Sequence, residues 1–533
     1  MNGGTSPCLC DLCTLKEKQG QKEKTVDAPG MPRLIRGRKR GKGKQVASST
    51  RQATTAKHGK RGHKNRAKYM AEDEEGNRDV FKELVYRLKI KKTLDEPVKE
   101  VDSMDWRAER EQLDEHLTRI RLQHSFIPRV GELVLWCPEL QGEVQFDFDK
   151  DIFREVCPVT NKFLGVPKWR AGTVAQVPEE PVVLGDIYFD AEKSMAINMS
   201  GFRIETFPDP NSPNKDFSSQ YKYVPLCHIR PFNMWDIILQ NIPSEEFHPS
   251  ISYALTIMPS FSMLDRYHFA GTWPNATIYS KGVYIGAELL VRGDAVRIFP
   301  EEWSSEDAFG SVTDVLVIEK IALELFDCDA DLSSPGLCRA FAPRVQGRAF
   351  TISKDRAYRD PSSPNEEPKP MTRDEIIDAF ETVSMGKYGP WYRLHLPEAI
   401  MELSINQIIG RCFESDYMDL MYGTLDFDLD LEGVISGREY GQKTDERIPP
   451  HREWFAGDYR LETLALETFN GIEVGKFDEA RDLKMWRANL KIIDGTATAA
   501  DIKEAKLTRE KGRRRLEDII GGKADSSKRE WTE

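Results

Sequence analysis

Two neighbouring stretches carry the clearest strand pattern in this chain: YSKGVYIGAELLVRGDAVRIFP, from Tyr279 to Pro300, and VTDVLVIEKIAL, from Val312 to Leu323. Both are rich in β-branched residues, which favour pleated strands. Their apolar side chains recur at strand spacing, notably at Val296, Ile298, Val315, Val317 and Ile321. Gly293-Asp294 precedes an alternating run and is typical of a turn. The pattern predicts successive strands joined by short connections.

Length and composition limit the class of protein. A chain of 533 residues with 39% hydrophobic content is expected to form two or three domains with buried cores. It has no run of about 18 apolar residues and no secretory leader, so neither a membrane span nor secretion is predicted. Nine scattered cysteines fit free thiols in a reducing compartment.

The charge is distributed unevenly along the chain. Residues 33–68 contain 14 Lys and Arg and no Asp or Glu, so the remainder carries about −25 against a total of −11. We predict a disordered basic tail over residues 1–75 that contacts DNA phosphates without reading sequence. A nuclear-import signal is the alternative, and both predict a nuclear protein. The expected DNA-contacting residues are Arg36, Arg38, Lys39, Arg40, Lys42, Lys44, Lys60 and Arg61.

A cysteine cluster near the N-terminus is a candidate zinc site. Cys8, Cys10 and Cys13 form C-x-C-x-x-C, whereas a closed structural zinc site needs four ligands. The next candidate ligand is His58. No other cofactor is predicted.

Periodicity divides the chain into six parts. A helical hairpin is expected over 76–127, with Phe81, Leu84, Val85 and Leu88 on one face of its first helix and a second helix beginning near Asp102. Short strands, including one near Leu184 to Tyr188, predict a small barrel. The parts are the basic tail 1–75, the hairpin 76–127, the small barrel 128–232, a helical connector 233–270, a larger β domain 271–475 and charged C-terminal helices 476–533.

Two tryptophans of the small barrel are candidate ligand-binding residues. Trp136 ends one predicted strand and Trp169 begins the next. The sequence pattern of these strands is similar to that of Tudor-like barrels, in which aromatic side chains bind methylammonium groups. Packing in the core is the alternative.

The segment TLDFDLDLEGVI, Thr424 to Ile435, alternates apolar and acidic residues and predicts a strand with a solvated acidic face. A calcium loop is excluded because Leu431 and Gly437 stand where it needs Gly and Glu. The usual local signatures of phosphate-binding, metalloprotease and hydrolase sites are missing, so an enzyme is not predicted.

The motif G-A-E-x-x-x-x-G-D-x-V-R-I resembles the first part of a bromo-adjacent-homology (BAH) barrel. It resembles in particular the BAH-like domain of the fungal cryptic-loci-regulator family of transcription-silencing proteins. The resemblance extends over about residues 129–475. Its matching residues are Gly286, Ala287, Glu288, Gly293, Asp294, Val296 and Arg297. It implies a mainly β fold with flanking helices (α+β), in which a small SH3/Tudor-like barrel is followed by a BAH-like domain.

The same resemblance implies a function. The chain would be a noncatalytic adaptor in heterochromatic silencing that joins a nucleosome remodeller to a histone deacetylase in the nucleus. A methyl-CpG-binding-like domain expected upstream would be missing. The alternatives are a standalone histone-mark reader that uses Trp136 and Trp169, and an unrecognised enzyme.

Overall fold

The structure is a computed structural model. It describes residues 79–99, 117–121, 123–178, 180–188, 201–210, 220–300, 311–332, 334, 336–363, 365–381, 384–445, 448, 452–456, 468–469, 472–473, 492, 495 and 497–504. The chain divides into two units, Met1–Tyr69 and Met70–Glu533, and every described residue lies in the second. The predicted basic tail and cysteine cluster lie outside the described residues, as does most of the predicted C-terminal helical region.

Strands dominate the described part of the chain, which confirms the prediction of a mainly β protein with flanking helices. The strands are β1 (Thr93–Pro97), β2 (Leu133–Trp136), β3 (Glu143–Asp147), β4 (Ile152–Val156), β5 (Arg170–Gln176), β6 (Phe202–Thr206), β7 (Tyr221–Val224), β8 (Ile229–Pro231), β9 (Ser260–Thr272), β10 (Asn275–Ile285), β11 (Glu288–Val291), β12 (Ala295–Ile298), β13 (Asp314–Cys328), β14 (Cys338–Thr351), β15 (Tyr392–Arg393), β16 (Met401–Ser404), β17 (Ile408–Arg411), β18 (Phe455–Ala456), β19 (Thr468–Phe469) and β20 (Ile472–Glu473). The helices are α1 (Val80–Lys91), α2 (Trp235–Ile238), α3 (Pro249–Leu255), α4 (Arg373–Phe380), α5 (Ser415–Tyr422), α6 (Leu431–Thr444) and α7 (Ala499–Glu504).

A five-stranded antiparallel sheet, here the small sheet, has the order β7-β6-β5-β2-β8. Its core holds large side chains such as Trp136, Phe202 and Phe207. Gly172 on β5 makes room for the indole of Trp136, because a Cβ at this position would lie 2.6 Å from Trp136 Nε1. The hairpin β3–β4 is a separate two-stranded sheet.

An eleven-stranded sheet, here the large sheet, has β1-β9-β10-β13-β12-β17 as its main path, with β14 on β13. The opening stretch runs through β10, β11 and β12. A two-residue turn at Gly286-Ala287 joins β10 to β11, with Gly286 at φ 54°. Gly293, at φ 96°, lies in the turn before β12. Both turns need backbone conformations that glycine adopts readily.

The predicted first helix is present as α1. Asp79 caps it by accepting a hydrogen bond from the Lys82 amide at 2.9 Å, and Leu84, Val85 and Leu88 are buried. The next described segment is β1, which pairs with β9 and extends the large sheet. Residues 117–121 are helical, within the range expected for the second helix; the predicted start near Asp102 lies outside the described residues.

Three local predictions are wrong. The segment from Thr424 to Ile435, predicted to be a strand, is a turn followed by α6, which begins at Leu431. Asp430, predicted to be solvated, is buried and pairs with Arg297. Residues Leu184–Ile187 form a 3₁₀ turn in place of a strand, closed by the Asp186 carboxylate, which accepts from the Val183 amide. The connector expected to be helical over 233–270 is helical only as far as Leu255, and β9 begins at Ser260.

Among the helices of the described segments, none combines the length and apolar character needed to cross a membrane.

Candidate functional site: a buried ionic network

Seven charged side chains converge where the small sheet, the large sheet and α6 meet. Six of them are at most 6% exposed, and the seventh, Asp294, is 10% exposed in its side chain. We call this set the buried network: Arg129, Glu132, Glu288, Asp294, Arg297, Arg411 and Asp430. Three of its members are among the residues that carry the family resemblance.

The first contact joins the segment before β2 to the turn before β12. Arg129 Nη1 and Nη2 donate to the two Asp294 carboxylate oxygens, at 2.6 and 2.8 Å. Arg129 Nη1 also donates to the Leu289 carbonyl at 2.9 Å. Asp294 in turn accepts from the Val291 amide at 2.8 Å, so one carboxylate both closes its own turn and anchors the small sheet.

Glu132 and Arg411 form the centre of the network. Arg411 Nη1 lies 2.8 Å from Glu132 Oε1, and Glu132 also accepts from the amides of Arg129 and Leu289 at 2.8 and 2.9 Å. Glu288 Oε2 accepts from the Arg411 amide at 2.9 Å. Within the described residues, Glu288 Oε1 has no hydrogen-bond partner.

The third contact attaches α6. Arg297 on β12 makes a two-point contact with Asp430, just before α6, with Nη2 to Oδ2 at 2.9 Å. The same guanidinium donates to the carbonyls of Arg411 at 3.1 Å and Phe427 at 2.9 Å. One arginine therefore ties β12, β17 and the turn before α6 together.

Burial and neighbouring charges shift the pKa values of the network. Burial raises the pKa of Glu288 to about 6, although the nearby Arg411 opposes the rise. Burial alone would lower the pKa values of Arg297 and Arg411, but their carboxylate partners outweigh it and raise both. Such a network is costly to disrupt, because a charge left without its partner stays buried.

The geometry assigns a structural role to the charged family-matching residues. Glu288, Asp294 and Arg297 point into the protein and contact other parts of it, while Gly286 and Gly293 form turns and Ala287 and Val296 are buried. In the described ranges, no group of three or more His, Cys, Asp or Glu is placed to hold a metal ion. The network is suited to fixing the small sheet, the large sheet and α6 relative to one another.

The two tryptophans considered for ligand binding lie in the core. Trp136 and Trp169 are 1% and 4% exposed. The Arg230 guanidinium lies over the Trp169 ring at 5.9 Å, so an internal cation already faces that ring. In this conformation neither ring is open to a methylammonium ligand.

Sequence reasoning missed four members of the network: Arg129, Glu132, Arg411 and Asp430. The alternation around Asp430 predicts a solvated face for that residue. The available signal was weak: Arg129 and Glu132 are charged residues beside an otherwise apolar run, and buried charges are almost always paired. Their partners are far away in sequence, 165 residues for Arg129 and Asp294 and 279 for Glu132 and Arg411.

Comparison with known proteins finds a family match that includes part of this site. Residues 279–414 match the family model described as transcription-silencing protein Clr2. No curated protein matches the chain. A solved structure described as "Structure of Clr2 bound to the Clr1 C-terminus" aligns at 12% identity with a TM-score of 0.33, covering 73% of this chain and 69% of that chain. The family-matched segment contains Glu288, Asp294, Arg297 and Arg411. The predicted resemblance is confirmed over residues 279–414, where this chain is similar to the transcription-silencing Clr2 family.

Proposed function

We propose that the chain is a noncatalytic adaptor in heterochromatic transcriptional silencing, which holds subunits of a histone-deacetylase and nucleosome-remodelling complex together in the nucleus. The observation that carries the proposal is the match of residues 279–414 to a transcription-silencing family. The buried network supports it, because the charged family-matching residues serve the rigidity of a scaffold.

A scaffold must hold its binding surfaces in fixed relative positions. The network does so by joining the small sheet through Arg129, the large sheet through Arg297 and the turn before α6 through Asp430. Pre-organised surfaces bind partners without first losing conformational freedom, which raises affinity. The basic segment 33–68 would add nonspecific affinity for DNA or nucleosomes.

Affinity capture tests the proposal. The tagged full-length chain should retain deacetylase and remodeller subunits, identified by mass spectrometry. A variant with a weakened network, Arg297→Met, should retain less of them than the control variant Arg348→Met, which removes an arginine from a partly exposed ion pair with Glu319. Capture of the folded wild-type chain without any such subunit would refute the adaptor function.

If the chain were a histone-mark reader, a peptide-binding experiment would give a different result. Peptides carrying trimethyl-lysine would bind the purified chain, and binding would weaken in Trp169→Phe while the protein stays folded. We expect no methylation-dependent binding through Trp169, because its ring is buried beneath Arg230. Calorimetric titration with methylated and unmethylated peptides distinguishes the two functions.

A further inference from the structure

The long antiparallel pair β13–β14 ends in two cysteines that face each other. Cys328 is the last residue of β13 and Cys338 the first of β14, and the two are direct partners in the register. Both are free thiols. Directly opposed residues of an antiparallel pair project to the same face of the sheet. The two sulfurs therefore lie on one side of the pair.

The hydrogen bonds define the type of position. The neighbouring residues Asp329 and Leu337 form a hydrogen-bonded pair, because the Asp329 amide donates to the Leu337 carbonyl at 2.8 Å. The Cys328 amide donates away from β14, to the Pro274 carbonyl at 2.8 Å. Cys328 and Cys338 thus occupy a non-hydrogen-bonded position, where Cα atoms are about 4.5 Å apart. A disulfide accepts Cα separations of roughly 4.4–6.8 Å, so the backbone need not move far.

The two thiols differ in access. Cys328 is 6% exposed and packs in the cluster with Leu88 of α1 and Leu94 of β1, whereas Cys338 is only partly buried. A small oxidant from solvent reaches Cys338 first, and Cys328 is then adjacent to the oxidised sulfur.

We propose that Cys328 and Cys338 are an oxidative modification site, at which a peroxide converts the two thiols into an intramolecular disulfide. The Cys338 thiolate attacks the peroxide, breaks its O–O bond and becomes a sulfenic acid, releasing water or an alcohol. The Cys328 thiolate then attacks the sulfenic sulfur, forms the S–S bond and releases hydroxide, which takes up a proton to become water. The thiols lose two protons and two electrons, and the peroxide is reduced.

The bond would close the segment Asp329–Leu337 into a loop at the end of the strand pair. The same end carries the cluster that anchors α1 and β1, so oxidation stabilises this edge of the large sheet against opening. Burial raises the pKa of the Cys328 thiol to about 11, with Cys338 adding to the rise, and burial also raises that of Cys338. Because thiolates react, the rate of oxidation increases as the pH rises above neutral.

Hydrogen peroxide applied to the full-length chain tests the site. After free thiols are blocked, a protease that cleaves before aspartate cuts at Asp329 and Asp331, between the two cysteines. We expect the fragments that hold Cys328 and Cys338 to stay joined until a reductant is added. Joined fragments should also appear in Cys157→Ser, which removes a buried thiol elsewhere, and disappear in Cys338→Ser.

Three outcomes would overturn the proposal. One is that both cysteines are recovered as blocked free thiols even after prolonged peroxide treatment at pH values up to about 10, where a growing fraction of thiols with raised pKa values is ionised. Another is that either cysteine links to Cys8, Cys10 or Cys13 in place of its cross-strand partner. The third is that the joined fragments persist in Cys338→Ser. Hydrogen exchange at α1 and β1 amides provides an independent measurement and should slow in the oxidised wild type.

Discussion

Replacing Arg297 by methionine tests the buried network most directly. The change removes both contacts to Asp430 and the hydrogen bonds to the carbonyls of Arg411 and Phe427. It leaves the Asp430 carboxylate, which is 1% exposed, without its cation. Breaking a buried pair in this way lowers the free energy of unfolding by about 3–5 kcal/mol. Because whole domains are stable by only about 5–15 kcal/mol, the loss should be plain in urea unfolding.

A double variant separates the charge effect from lost packing. In Arg297→Met with Asp430→Leu no unpaired charge remains, so the two losses should not add, and much of the stability should return. The matched control is Arg348→Met. Arg348 lies 2.8 Å from Glu319, but the side chains are 33% and 30% exposed, and such pairs contribute about 0.2–1 kcal/mol.

Urea unfolding measures the global change, and hydrogen exchange at the α6 amides measures the local one. The reasoning is refuted if Arg297→Met loses no more stability than Arg348→Met. It is also refuted if the double variant is as unstable as the sum of the single variants, since the charges would then be uncoupled.

Three further predictions follow from the site and the sequence. Glu288→Gln should remove a pH dependence of the free energy of unfolding. Folding raises the pKa of Glu288 from 4.5 to about 6, so the stability that this group contributes is present below pH 4.5 and lost as the pH rises through 6. In urea unfolding, the variant should therefore gain about 2 kcal/mol relative to the wild type between pH 4 and 7. Gly410→Ala places a Cβ 2.5 Å from Glu288 Oε2 and should cost about 1–3 kcal/mol, whereas Gly386→Ala, where a Cβ meets nothing within 4 Å, should change thermal unfolding little. Deleting residues 1–70 should flatten the slope of log DNA affinity against log salt, by up to about 7 if all eight named tail cations contact phosphate, and an unchanged slope would show that the tail is not the DNA contact.

Local patterns predicted the strands well. The alternation at Val296, Ile298, Val315 and Val317 places these residues in strands, and all four are buried. Both faces of these segments are buried, since Arg297 and Leu316 lie between them and are buried too, so the signal is the β-branched composition and the spacing of the apolar residues. The strand predicted from the acidic alternation before Ile435 is wrong, because that segment leads into α6, which packs closely on its neighbours. A Cβ at Gly433 would lie 2.9 Å from the Asn233 carbonyl, and one at Gly441 would lie 2.4 Å from Pro259.

The amino-acid sequence alone was sufficient for the strands that hold Val296, Ile298, Val315, Val317 and Ile321, for the turn at Gly293-Asp294 and for the transcription-silencing resemblance. Only the folded chain reveals that Glu288, Asp294 and Arg297 face inward and form ion pairs. The physical reason is range: a turn or a strand depends on neighbouring residues, whereas burial of a charge depends on a partner brought close by folding. Arg129 and Asp294, 165 residues apart, pair because the two sheets meet there.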